Sequence, residues 1–365
     1  MRFSLAENRA TVVPLGIADF MGHAENGSFN FNYSLEDSVE GTIVFEICSV
    51  ENVVLYRTML DDMMLLAGSH SIKWDGFDQE GIYDSRRFNG QYLQARLTVN
   101  SLEDSEISVV NFTALYKEVQ WVDIIIERSV KKITAVLRTA FKDSRSSLNP
   151  PAQNIPSQLI LTAGRQPFKE RTKSFEELLA LAVKGLTYHW GRNSLHAIAK
   201  NVTLADGTNY EFFLMVENTE KYAIRSPKIV YHTNARSRRS RNWELSRILF
   251  YNNGYLKYGQ SWYFKTPSKA DADFMEIAAH EIGHEILLAY GGHRYSKCHK
   301  GTSTLLTQAP LGNALYPKQG EIDLMLYYVE DQEHPFPVNA QQRCVASEKD
   351  VLSLLWLSKI EVTPI

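Results

Sequence analysis

Ser268-Lys269-Ala270-Asp271-Ala272-Asp273-Phe274-Met275-Glu276-Ile277-Ala278-Ala279-His280-Glu281-Ile282-Gly283-His284-Glu285-Ile286-Leu287-Leu288-Ala289-Tyr290 reads as one long helix. Ser268 suits an N-cap, Phe274, Ile277, Leu287 and Leu288 recur at helical spacing, and Gly291-Gly292 suits a stop. Within it, His280 and His284 are four residues apart and share one helical face, so both imidazoles can reach one Zn²⁺. Glu281, beside His280, is placed to take a proton from water whose pKa such an ion lowers toward ~7. Gly283 is expected to leave room near the metal. Two incidental histidines are the bland alternative, disfavoured because the pattern sits in a capped, apolar helix.

Upstream, Ser174-Phe175-Glu176-Glu177 is a capping box, and Phe175, Leu178, Leu179, Ala182, Leu186 and Trp190 follow at helical spacing. Strands are expected at about 202–204, 210–216, 228–232 and 248–251. A sheet with helices on either side of it in sequence reads as α+β. The N-terminal part has another rhythm. Phe29, Phe31, Tyr33 and Leu35 alternate with Ser28, Asn30, Asn32 and Ser34, and strands at 43–47, 53–56, 92–99 and 109–115 continue an all-β pattern that closes as a small sandwich. The expected division is 1–115 and 116–365, with two further extended segments over 119–141. Pro150, Pro151 and Pro156 mark a boundary or crossing segment.

Composition narrows the class. A chain of 365 residues, 44% hydrophobic and 22% charged with net charge -3, is neither disordered, collagenous nor coiled coil, and its charge argues against a dedicated nucleic-acid binder. Asp123, Glu127, Glu281 and Glu285 interrupt the best apolar stretches, so no membrane insertion is expected. The first nine residues lack the apolar core of a secretory signal, so synthesis in the cytoplasm is expected. Cys48, Cys298 and Cys344 read as reduced thiols, with a Cys298–Cys344 pair the alternative in an oxidising compartment.

A catalytic zinc site needs a third protein ligand and one open position. The metzincin, thermolysin-like and aspzincin spacings fail here, at Leu287 and Tyr290, at Thr304, and in the missing carboxylate after Gly301-Thr302. The remaining candidates are His293, His299, Glu321, Asp323, Glu330 and His334. Glu321 stands in the apolar run 320–328, where a metal would account for an otherwise costly carboxylate. His299 is a candidate for oxyanion stabilisation or ligand orientation, with a core or solvent-facing histidine as the bland reading. Tyr327 and Tyr328 are candidate donors to a tetrahedral intermediate, against a plain core role. Asp323 and Glu276 are candidate acceptors for histidine N–H groups. The basic run Arg236-Ser237-Arg238-Arg239-Ser240-Arg241 reads as a solvated loop.

Two stretches carry resemblances. Trp74-Asp75-Gly76-Phe77-Asp78-Gln79-Glu80-Gly81, followed by Asn89-Gly90-Gln91-Tyr92, resembles the immunoglobulin-like module of flagellar hook-capping proteins, and its residues read as a packing and turn signature. His280-Glu281-Ile282-Gly283-His284-Glu285, then His299-Lys300-Gly301-Thr302-Ser303-Thr304, then Pro317 to Met325, resembles the zincin metallopeptidase domains of bacterial type VI secretion effectors over residues 170–360. This resemblance implies His280, His284 and Glu321 as Zn²⁺ ligands and Glu281 as catalytic base. It also implies a secreted antibacterial toxin hydrolysing peptide bonds in a target cell's periplasm, with a VgrG-type spike or other delivery protein and an immunity protein as partners. The alternatives are a zinc hydrolase acting on cell-wall peptide stems and a partner-binding module with a structural zinc.

Overall fold

The structure, a computed structural model, describes residues 1–101, 104–144, 173–232, 239–252, 254–257, 261–306 and 308–365. Pro150, Pro151, Pro156, Arg236, Ser237 and Arg238 lie outside the described residues. The fold is α+β. Two units divide it: Met1–Ala135 with Thr203–Tyr210 and Leu352–Ile365, and Val136–Val202 with Glu211–Val351.

In the first unit the alternating strand Phe29–Leu35 pairs antiparallel with Arg2–Leu5 and Gly68–Trp74. Its buried positions, Phe29, Phe31, Tyr33 and Leu35, are the apolar ones of the period-2 pattern. They face a six-stranded antiparallel sheet in which Gly41–Ser49, Gln91–Ser101 and Ser105–Tyr116 are central. Phe31 meets Phe45 and Phe112 of that sheet at ring separations of 5.2 and 5.9 Å, closing a sandwich. Each fully buried ring contributes roughly 1.5–3 kcal/mol by removal from water.

The expected break near 116 differs from the observed division. Ile360–Pro364 inserts between Ala10–Val12 and Ser105–Tyr116, with Ile360 opposite both Val12 and Tyr116, so the end of the chain completes this sheet. A strand edge needs a partner, and the partner here is some 250 residues away in sequence. The Trp74 segment is a turn and packing device. Trp74 Nε1 donates to the Phe77 carbonyl at 2.8 Å, and Gly76 has φ 84°, where a Cβ would also lie 2.8 Å from the Tyr83 ring.

In the second unit, helix α1 (Phe175–His189) opens on the expected capping box: Ser174 Oγ accepts from the Glu177 N–H and a Glu177 carboxylate oxygen accepts from the Ser174 N–H, at 3.1 and 2.7 Å. Helix α2 (Pro267–Lys297) starts earlier than expected. Thr266, not Ser268, is its N-cap, because proline fits the first helical position and Thr266 Oγ1 accepts from the Lys269 N–H. Gly292 (φ 77°, ψ -177°) leaves the helical region and interrupts the helix at the expected Gly291-Gly292 stop, and a second helical stretch runs on to Lys297. The two helices cross closely at Gly185, where a Cβ would lie 2.1 Å from the Met275 carbonyl oxygen. A four-stranded sheet flanks them, in the order Lys142–Asp143, Lys228–His232, Ser246–Asn252, Arg241–Trp243, with only the last pair antiparallel. All three cysteines are free. Among the described residues no helix is long and apolar enough to cross a membrane.

His189, at the end of α1, is buried and its Nδ1 donates to the Cys344 carbonyl at 2.7 Å. Burial lowers its pKa to about 4. The folded imidazole stays neutral down to that value, whereas an unfolded one takes a proton below ~6.5. Its contribution to stability is therefore complete above about pH 6.5 and lost as the pH falls to about 4. Urea unfolding of wild type and His189→Gln across this range is expected to show the difference between them shrinking or reversing by a few kcal/mol on acidification. A pH-independent difference would refute the buried neutral state.

Candidate metal centre

The helical spacing places His280 and His284 one turn apart on α2, with ring centroids 4.8 Å apart. Their Nδ1 atoms are both engaged. His280 Nδ1 donates to the Leu324 carbonyl at 2.8 Å. Ser296 donates its hydroxyl to the His284 carbonyl at 2.6 Å, so Ser296 Oγ can only accept from His284 Nδ1, 3.3 Å away. Each ring is thereby held in the tautomer that leaves Nε2 as a bare acceptor.

His299 completes the group. It is wholly buried, its Nδ1 lies 2.7 Å from Ser303 Oγ, and its Nε2 has no hydrogen-bond partner among the described residues. An unsatisfied buried ring nitrogen costs ~1–3 kcal/mol and calls for an explanation. The ligand atoms of His280, His284 and His299 all lie within 4.8 Å of one another, close enough to hold one ion. The turn that brings His299 there is strained: His299 and Lys300 have φ of 49° and 56°, left-handed values that cost non-glycine residues about 1–3 kcal/mol each. Its surroundings hold it. Thr302 Oγ1 donates to the His299 carbonyl at 2.7 Å, and the Lys300 ammonium lies against Asp323, Asp350 and Ser347. Burial opposes that charge, but the two carboxylates outweigh it and raise the Lys300 pKa.

Burial lowers the His280 pKa to about 4 and the His299 pKa to about 2, and drives that of His284 well below its ordinary value, with the neighbouring imidazoles adding to the effect. Three neutral imidazoles result, the donor set of a nitrogen-ligated zinc site. The residues therefore fit the ion. Glu281 is buried beside them and burial raises its carboxyl to about 7. Its backbone carbonyl is pinned by Asn242 Nδ2 at 2.7 Å. A cavity of about 560 Å³ opens onto His280, Glu281, Glu276, Tyr316, Tyr327 and Arg239.

Glu321, expected as the third ligand, is not in this group. Arg192 takes both its carboxylate oxygens, at 2.6 and 2.9 Å, while donating also to the Asn201 and Ala346 carbonyls. The buried Arg192 guanidinium accounts for that carboxylate. Asp323 and Glu276, expected as histidine acceptors, make no such bond: Asp323 takes Lys300 and the Met325 N–H, and no hydrogen bond or ion pair reaches Glu276 among the described residues. His293 and Glu330 are exposed, and His334 pairs with Asp331 at 3.1 Å. Tyr327 stacks on His299 at 3.5 Å between centroids, and its hydroxyl is gripped by Arg239. Tyr328 accepts the Asp323 N–H.

Gly283 faces Met325 and Trp190. A methyl there would lie 2.5 Å from Met325 Sδ and 2.9 Å from the Trp190 ring, so the glycine serves core packing. Gly283→Ala is expected to destabilise the chain by about 1–3 kcal/mol in thermal unfolding without changing zinc stoichiometry. Lost zinc with unaltered stability would contradict this placement. Ser296, Ser303, Asn242 and the Leu324 carbonyl, which hold the site, carry no motif in the sequence that marks them for it. Their only local trace is the four-residue step from His299 to Ser303.

No protein-family model and no curated protein sequence matches the chain. Among solved structures, FlgD from P. aeruginosa matches at 17% identity and TM-score 0.20, covering 30% of this chain and 71% of that one. FlgD from Xanthomonas campestris, whose structure is titled for hook capping in flagellar assembly, matches at 18% and 0.18, covering 29% and 70%. A β-glucuronidase from Ruminococcus gnavus matches at 8% and 0.15, covering 39% of this chain and 20% of that one. At such scores these likenesses carry no functional argument.

Proposed function

We propose that the protein is a zinc-dependent metallopeptidase whose ion is held by His280, His284 and His299, with Glu281 as the general base. The observation that carries the reading is the buried, partnerless Nε2 of His299 converging with two imidazoles whose Nδ1 atoms are spoken for. Zinc bound there supplies a Lewis acid that polarises the scissile carbonyl and lowers the pKa of water toward ~7. Glu281 accepts the proton from water and returns it to the leaving amine. Leu324, Ser296 and Ser303 hold the three rings, and Arg239 holds Tyr327 flat against His299.

An open cavity beside three protein ligands favours hydrolysis over a structural zinc, which is enclosed by four. The finer reading, a type VI secretion toxin with delivery and immunity partners, rests on the three ordered motifs at 280–285, 299–304 and 317–325. The test is hydrolysis of unfolded casein beside purified cell wall by zinc-loaded protein, with a chelator control. Chelator-sensitive cleavage of casein supports the proposal. Release of stem peptides alone redirects it to cell-wall substrates, and inertness of zinc-loaded protein on both would overturn it.

A further inference from the structure

One part of the cavity is not used by this chemistry. Glu276 lies one helical turn before His280 on the same face of α2, about 6 Å along the helix from it, and lines the same cavity. No hydrogen bond or ion pair reaches it among the described residues. The two cations lining the cavity are committed elsewhere: Lys265 pairs with Asp273 at 2.5 Å, and Arg239 donates to the Gln308 carbonyl and the Tyr327 hydroxyl. Tyr316 and Tyr328 line the same cavity, stacked at 4.9 Å between ring centroids.

We propose that Glu276, walled by Tyr316 and Tyr328, is a specificity subsite for an ammonium group of the substrate next to the scissile bond. The inference rests on the hydrolase reading above and names its substrate class. A poorly solvated carboxylate with no directly paired cation gains from one, and aromatic faces favour cations over neutral groups. Consistent with this, burial and the nearby Asp273 raise the Glu276 carboxyl to about 7 even though the Lys265 charge opposes them, and burial followed by Glu276 itself pushes the Tyr316 phenol up to about 12. The ammonium is either that of a basic side chain or that of a peptide N-terminus, and both present the same chemistry.

The test measures equilibrium binding of three hydroxamates to the full-length, zinc-loaded protein. Nα-acetyl-lysine hydroxamate carries a side-chain ammonium, norleucine hydroxamate a free α-ammonium, and Nα-acetyl-norleucine hydroxamate neither. At least one cationic probe is expected to bind about 10–100-fold tighter than the neutral one, and which of them does so identifies the source. In Glu276→Gln that preference falls to within about twofold while the neutral probe keeps its affinity. Equal binding of all three by wild type overturns the subsite whether or not the variant folds, as does a preference that survives Glu276→Gln. Failure of every hydroxamate to bind protein shown by elemental analysis to hold zinc would instead sink the hydrolase reading, since the ion then has no open position, and the subsite with it.

Discussion

Replacing His299 with alanine is expected to take zinc from one ion per chain to none after dialysis, whereas Glu321→Ala keeps it. Losing the hydrogen-bond partner of a ligand typically lowers metal affinity ~10–100-fold, and losing one of three ligands costs more. The same measurement on Ser303→Ala and Ser296→Ala should therefore show weakened but detectable binding. His284→Ala should behave as His299→Ala. Glu321→Ala should reveal itself as instability, because Arg192, 4% exposed, is left without its two-point partner. Breaking a buried pair costs about 3–5 kcal/mol, and the partial exposure of Glu321 brings the expected loss down to roughly 1–3 kcal/mol. Elemental analysis and thermal unfolding read the two effects separately. Zinc retained in His299→Ala and lost in Glu321→Ala would exchange their roles and refute the site described above.

Glu281→Gln is expected to keep the ion and lose hydrolysis, with kcat falling about 10²–10⁴-fold and KM little changed, since a general base acts in the transition state. The isosteric amide preserves volume, and the backbone carbonyl of residue 281 still accepts from Asn242. The pH dependence follows from protonation. Glu281 works only as carboxylate, and burial alone raises it to about 7. A cation on the adjacent histidines lowers that value, so the acid limb of kcat/KM falls at or below pH 7, with activity rising as the pH rises through it. Full activity of Glu281→Gln on any peptide would dismiss the mechanism.

The legible part of the site was the helical part. His280, Glu281 and His284 follow from spacing alone, because α2 converts a four-residue step into a shared face whatever surrounds it. The third imidazole of the cluster was not legible in the same way. His299 and Glu321 were both candidates, and the apolar run around Glu321 argued for a metal there. The carboxylate does have a neutralising partner, but it is Arg192, 129 residues away. Gly283 shows the same limit, since spacing places it in the motif but says nothing of Trp190 and Met325 on its far side.

By itself the sequence determined what local physics determines: the α+β class, the alternating strand Phe29–Leu35, the capping box at Ser174, the two-histidine face of α2, and the turn that Gly76 permits. Tertiary structure alone decided which distant segments meet. It put Ile360–Pro364 in the first unit's sheet, turned His299 left-handed toward α2 through the Lys300 and Thr302 anchors, and set Arg192 against Glu321. The reason is one of range. Propensity and periodicity act over a turn or two of chain, whereas ligand convergence and charge pairing are chosen by the packing of the whole unit, where several carboxylates and imidazoles of equal local merit compete for one position.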